Sequence, residues 1–289
     1  MERALALGGN NKLLSLFELG RPWNALPTAL IGSVASLMGR ADLSLAALVG
    51  LAFFLLYLAG AVVNDIFDYY VDSINMPYRP LERGAVSVRE AWVFSAAGYL
   101  ASLAVAYFLG FVFLAVVVVF ILASYLYSGA PLRAESRSFY AQIHLGLVTA
   151  LLPGLGGFAA ALGRLPSVEQ MLPFVAFTVF FFFVWVIKDF KDLAGDRARG
   201  KFTFLVHVGP DAGFKVMLVG SVVMFPVVVW LFNQVFNNWF FPVVSGAVLV
   251  GMMLSEFVTR KDGEKGFAYF RLVFLVFLLA LLGSALSLP

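Results

Sequence analysis

Apolar runs of about twenty residues recur along this chain, and no other feature limits its possible folds so strongly. An α-helix needs about 20 such residues to cross roughly 30 Å of hydrocarbon. The runs fall at 22–39, 43–64, 90–109, 110–128, 140–163, 169–188, 212–233, 236–257 and 267–288. Inside a bilayer every backbone N–H and C=O must be paired by the protein itself, which leaves helices or closed barrels. Barrel strands alternate apolar and polar residues, and these runs do not. The expectation is an all-α, polytopic membrane protein of nine transmembrane helices around a central cavity, a single domain over 1–289. Composition agrees, with 62% hydrophobic and 13% charged residues against about 25% charged in soluble domains. The first run follows a polar stretch and precedes eight others, so it is expected to be a span and not a cleaved signal peptide. With no cysteine, disulfides, thiolate metal sites and a cysteine nucleophile are excluded.

Charge gives the expected orientation. Only Arg40 and Arg164 of the 20 basic residues fall on one side; the rest lie in the N-terminal arm and after even-numbered runs. The positive-inside rule then puts the N-terminus and those loops in the cytoplasm and, with an odd helix count, the C-terminus outside. Of the 17 acidic residues only Asp42 and Glu169 lie opposite. That rule concerns Lys and Arg, so the matching acidic excess needs its own cause.

The acidic residues form one pattern twice. "VVNDIFDYYVDSINMPYRP" (62–80) closes the second run and "KDFKDLAGDRARGKFT" (188–203) closes the sixth. Asp65, Asp68 and Asp72 map onto Asp189, Asp192 and Asp196, each 124 residues on, and this offset suggests two pseudo-repeated four-helix halves plus a ninth helix. Steps of three and four residues put each triad on one helical face, and Asn64, Asp68 and Asp72 form a stripe at steps of four. Stacked carboxylates repel, and a hard divalent cation removes the conflict. Mg²⁺ suits such a site, since it takes one or two carboxylates, retains waters and accepts phosphate oxygens. A single acidic helix end reads most simply as solvated surface; two copies in the same register point to a site.

Basic residues surround both copies: Arg79, Arg83, Arg133, Arg137, Lys188, Lys191, Arg197, Arg199 and Lys201. An acidic metal site ringed by cations suits a diphosphate. Arg79, beside Pro80, and Arg133, soon after Pro131, sit on stiff segments. Phe67, Tyr69, Tyr70, Tyr78, Tyr125 and Tyr127 cluster nearby, and aromatic faces stabilise cations. His144 and His207 read as structural, "PGLGG" (153–157) as a kink or close helix contact, and "RKDGEKG" (260–266) as a solvated loop.

With these residues in view, the sequence resembles the UbiA superfamily of intramembrane prenyltransferases. "NDIFDYYVDSINMPYRPLERGAVS" is similar to the family's NDxxDxxxD motif with its trailing Arg-Pro and G-x-x-S, and "KDFKDLAGDRARGKFT" to its second motif. "YSGAPLR" (127–133) and "GRPWN" (20–24) are similar to two further segments, with Ala130 where the family has proline. The resemblance implies nine helices and binding of two Mg²⁺ ions by Asn64, Asp68, Asp72, Asp192 and Asp196. It implies that Arg79, Arg133 and Lys188 hold phosphate oxygens, with Arg21 beside the same pocket, and it leaves Asp65 and Asp189 without an assigned role. The implied reaction moves a prenyl group, of geranylgeranyl type, from a polyprenyl diphosphate to a lipophilic acceptor and releases diphosphate; no nucleic acid is involved. The acceptor stays open between an aromatic or quinone precursor, a tetrapyrrole and geranylgeranylglyceryl phosphate. The competing class is a cation transporter or channel with acidic helix ends, against which both acidic copies face one side.

Overall fold

The computed structural model describes residues 11–198 and 200–288; Arg199, one of the expected flanking cations, lies outside them. Beside one 3₁₀ turn (Ala134–Ser136), twelve helices run through the described residues: α1 (Lys12–Leu19), α2 (Pro22–Met38), α3 (Leu43–Asn75), α4 (Val88–Leu109), α5 (Phe111–Ser128), α6 (Ser138–Leu162), α7 (Val168–Phe190), α8 (Leu193–Ala198), α9 (Phe204–Val208), α10 (Pro210–Phe236), α11 (Phe240–Lys261) and α12 (Gly263–Leu286). Among the described residues eight helices are long and apolar enough to cross a membrane, and the remaining expected span is the shorter α2. The run at 22–39 becomes α2, 17 residues long, which rises about 26 Å and lies at the short end of the helices that cross a bilayer. It is bounded by two residues in the left-handed region, Arg21 (φ 54°) and Arg40 (φ 71°).

Two local features set the geometry of the site. Helix α3 has 33 residues and so measures about 50 Å. It carries Asn64, Asp68 and Asp72 on one continuous rod, with the last turns beyond the apolar segment. The second acidic copy differs. Helix α7 tightens into a 3₁₀ turn over Trp185–Phe190 and the chain restarts as α8. Asp189, Asp192 and Asp196 therefore lie on a turn, a junction and a short helix, correcting the expectation of one helical face. Between α4 and α5 the break is Gly110 alone, with φ 118° and ψ 161°, a conformation open to glycine without a Cβ penalty.

Aromatic packing fills the centre. Phe177 and Phe181 of α7 stack with ring centroids 4.8 Å apart, and Phe232 of α10 and Phe274 and Phe277 of α12 pack on them. Phe53 of α3 meets Phe113 and Phe120 of α5 at 5.8 Å each. The "PGLGG" segment is a close helix contact: a Cβ on Gly157 would stand 2.3 Å from the carbonyl oxygen of Gly32 on α2. A π turn, Leu147–Leu151, precedes it.

Candidate active site

The two acidic copies meet. Asn64, Asp68 and Asp72 from α3 line one cavity together with Asp192 and Asp196, and the cavity encloses about 220 Å³. Arg21, Arg79, Lys188, Lys191 and Lys201 supply cations to the same wall, while Tyr57, Tyr127, Trp185 and Phe267 form its aromatic part. Of the six aromatics singled out in the sequence, Tyr127 lines it; Phe67, Tyr69, Tyr70 and Tyr125 are exposed elsewhere.

The leading aspartate of each copy does a different job from the other two. Asp65 is buried and accepts from Arg21 and, at 3.2 Å, from Arg79, which also donates to Asp72. Asp189 is buried too, accepting from Lys188 at 2.6 Å and from Gln142 at 3.1 Å. Each therefore holds a cation that reaches the cavity, while the carboxylates at the later positions form the lining. Buried ion pairs of this kind are secure when their remaining hydrogen-bonding capacity is also met, and here they fix the position of long, otherwise mobile side chains.

Charge in the cavity is not balanced internally. Burial pushes the carboxyl of Asp72 above the ordinary aspartate range against the pull of Arg79. Burial does the same to Asp196 against Lys201, with Asp192 adding repulsion. A bound cation would relieve both. Among the described residues no three carboxylates or histidines form a ready chelate, which fits an ion that takes one or two carboxylates and completes its shell with water and phosphate. The donor set of hard oxygens suits Mg²⁺ on the same ground.

Arg133 does not line this cavity. It lines a neighbouring cavity of about 420 Å³ with Arg137, Ser136, Gly200, Lys201 and Phe202, and Asp68 borders both. Its loop turns away at Arg133 itself, where φ is 44°. Three further residues have greater prominence than sequence reasoning gave them. Glu135, 5% exposed, accepts from Asn64 at 2.6 Å. Lys201 reaches Asp68 at 3.7 Å. His144, read as structural, lines the cavity and stacks on Tyr127 with ring centroids 4.9 Å apart. The signal for Glu135 was a carboxylate set between Arg133 and Arg137; the side chain of His144 falls at the cavity only through the packing of α6 on α5. His207 instead sits among Phe139 and Phe202.

Comparison with known proteins adds independent ground. The model of the UbiA prenyltransferase family matches residues 25–281. A digeranylgeranylglyceryl phosphate synthase of Thermococcus kodakarensis is 31% identical over 198 residues, 68% of this chain and 69% of that one. Its counterpart in Korarchaeum cryptofilum is 35% identical over 204 residues, again 68% and 69%. Among solved structures, a UbiA homologue from Archaeoglobus fulgidus bound to GPP and Mg²⁺ superposes with TM-score 0.70 at 21% identity, covering 94% of this chain and all of that one. The fold is shared, the match to the family model is nearly end to end, and an enzyme is thereby favoured over a transporter: the chain belongs to the UbiA prenyltransferase family and is an integral membrane prenyltransferase.

Proposed function

We propose that this enzyme transfers a geranylgeranyl-type group from its diphosphate to geranylgeranylglyceryl phosphate, with two Mg²⁺ ions bound alongside the diphosphate. The observation that carries the site is the convergence of both acidic copies on one cavity with an aromatic wall. The named relatives, synthases of digeranylgeranylglyceryl phosphate at 31% and 35% identity, favour this acceptor over a ring compound. Because both copies contribute to one cavity, residues 1–289 act as a single domain. The charge distribution supports a cytoplasmic N-terminus and cytoplasmic site and, with α2 counted as a ninth span, a C-terminus opposite.

Asn64, Asp68, Asp72, Asp192 and Asp196 would hold the Mg²⁺, which supplies charge neutralisation to the diphosphate leaving group. Arg79 and Lys188, positioned by Asp65 and Asp189, donate to phosphate oxygens, and Arg21 adds its charge at the same wall. These fixed cations stabilise the departing diphosphate more than the intact ester, which lowers the barrier to breaking the allylic C–O bond. The electron pair leaves with the diphosphate. Tyr127, Tyr57 and Trp185 present aromatic faces to the allylic cation and, with Phe267, exclude water that would hydrolyse it. The free hydroxyl oxygen of the acceptor bonds to the cationic carbon, forming an ether and releasing one proton.

The test is turnover by the purified protein in neutral lipid, with geranylgeranyl diphosphate, Mg²⁺ and a panel of acceptors. One diphosphate per ether product with geranylgeranylglyceryl phosphate is expected. Diphosphate release with a phenolic acceptor and none with geranylgeranylglyceryl phosphate would refute the acceptor, and activity surviving in Asp68→Ala and Asp192→Ala would refute the site.

A further inference from the structure

We propose that the cavity holding Arg133 and Arg137 is a separate binding site for the phosphate monoester headgroup of the acceptor lipid. This rests on the reading of the acceptor given above and assigns to it residues that would otherwise serve the donor.

The charge differs in kind from that of the metal cavity. Arg133, Arg137 and Lys201 face a single carboxylate, Asp68, so the lining carries three positive charges against one negative, a formal +2. A phosphate monoester carries about −1.5 to −2 at neutral pH, so the two match without a metal. Among the described residues no carboxylate forms an ion pair with Arg133 or Arg137; the guanidinium of Arg137 donates a long 3.5 Å hydrogen bond to the carbonyl of Pro131. Guanidinium groups present paired N–H donors suited to phosphate oxygens. Ser136 adds a hydroxyl to the same wall.

Position supports the same assignment. Asp68 and Lys201 line both cavities, so a phosphate held here adjoins the donor diphosphate across a shared wall. A glycerol unit reaches only roughly 5 Å from its phosphate ester oxygen to its farthest hydroxyl, so the acceptor phosphate must lie close to the allylic carbon. Two anions this close repel, and a cation between them offsets that repulsion; Lys201 stands on the shared wall. An uncharged phenolic acceptor would have no use for such a site, so the cavity is a specificity determinant for acceptors with a phosphate head.

The experiment measures binding of radiolabelled geranylgeranylglyceryl phosphate to the full chain in phosphatidylcholine nanodiscs without Mg²⁺, followed by steady-state kinetics with Mg²⁺. Arg133→Gln and Arg137→Gln are each expected to weaken acceptor binding about tenfold or more, as for loss of one charge-assisted hydrogen bond. They are expected to raise acceptor KM with little change in donor KM, and Arg137→Lys should recover part of the loss. Dephosphorylated geranylgeranylglycerol should bind wild type no better than the variants. The two sources of a phosphate head are separated by competition: an excess of phosphatidic acid in the disc should displace little acceptor, and inorganic phosphate should compete only weakly. Saturation by phosphatidic acid at equal affinity would make this a general lipid-headgroup site and overturn the proposal. A rise in donor KM with acceptor affinity unchanged would return both arginines to the donor site and overturn it as well. Arginine-dependent binding without ether formation would instead refute the proposed reaction while leaving this site standing.

Discussion

The side-chain amide of Asn64 donates to Oε2 of Glu135 at 2.6 Å and to the hydroxyl of Ser128 at 2.9 Å. An amide has two N–H donors and one carbonyl acceptor, so these bonds turn the Asn64 oxygen away from α5 and leave it available as a ligand. Glu135 is thus a positioning residue for the first acidic copy. Glu135→Ala is expected to raise the Mg²⁺ concentration for half-maximal activity by about 10- to 100-fold, the usual penalty for losing a partner of a metal ligand. Glu135→Gln, which retains an acceptor, should cost less. Titrating activity against Mg²⁺ in both variants provides the check.

Asp65 and Asp72 share Arg79 but should fail differently. Asp65 touches Arg21 and Arg79 and does not line the cavity, so Asp65→Asn should raise donor KM about tenfold through misplaced cations while leaving the Mg²⁺ requirement unchanged. Asp72 lines the cavity, and Asp72→Asn should shift the Mg²⁺ requirement. An equal Mg²⁺ shift in both variants would contradict the division between cation-holding and cavity-lining aspartates.

The pairing of the two acidic copies was legible in sequence, the separate role of Asp65 and Asp189 was not, and the reasons are physical. The 124-residue offset between Asp68 and Asp192 reported that two segments share a chemistry, because like residue types at like spacing answer the same ligand. It could not report that α3 continues as one rod through Asn75 while α7 breaks at Phe190. Helical spacing is a local property, whereas that break depends on what packs against Trp185–Phe190, including α12. Arg133 shows the same limit: its position in the chain was near the motifs, yet a left-handed backbone at that residue carries its loop into the adjoining cavity. Hydropathy located α2 to within one residue, the expected run 22–39 becoming a helix that ends at Met38 with Gly39 as its cap.

Helices α2 and α6 approach closely at Gly32 and Gly157, and the glycine at 157 allows it. Gly157→Ala would place a methyl 2.3 Å from the Gly32 carbonyl oxygen, and overpacking against backbone costs about 1–3 kcal/mol or more. At Gly246 an added methyl would meet nothing within 4 Å, and alanine is the better helix former. Gly157→Ala should lower the melting temperature in detergent, and Gly246→Ala should hold or raise it.

Glu82 gives a pH signature outside the spans. Both of its carboxylate oxygens are buried without a hydrogen-bond partner among the described residues, and burial pushes its pKa up to about 7 from 4.5. The folded chain therefore binds a proton that the unfolded chain releases, so this group costs stability as pH rises from 4.5 through 7 and no more above that. Glu82→Gln lacks that cost. Its melting temperature should exceed that of wild type at pH 8 and converge with it near pH 5.

The convergence of the two acidic copies on one Mg²⁺–diphosphate site is tested most directly by calorimetric binding of geranylgeranyl diphosphate with saturating Mg²⁺. Wild type, Asp68→Asn, Asp192→Asn and the double variant form a cycle. Each single variant is expected to weaken binding by tenfold or more, with the double variant losing far less than the product of the two because both carboxylates serve one ligand. Losses that multiply independently, or a single variant that binds like wild type, would contradict a shared site.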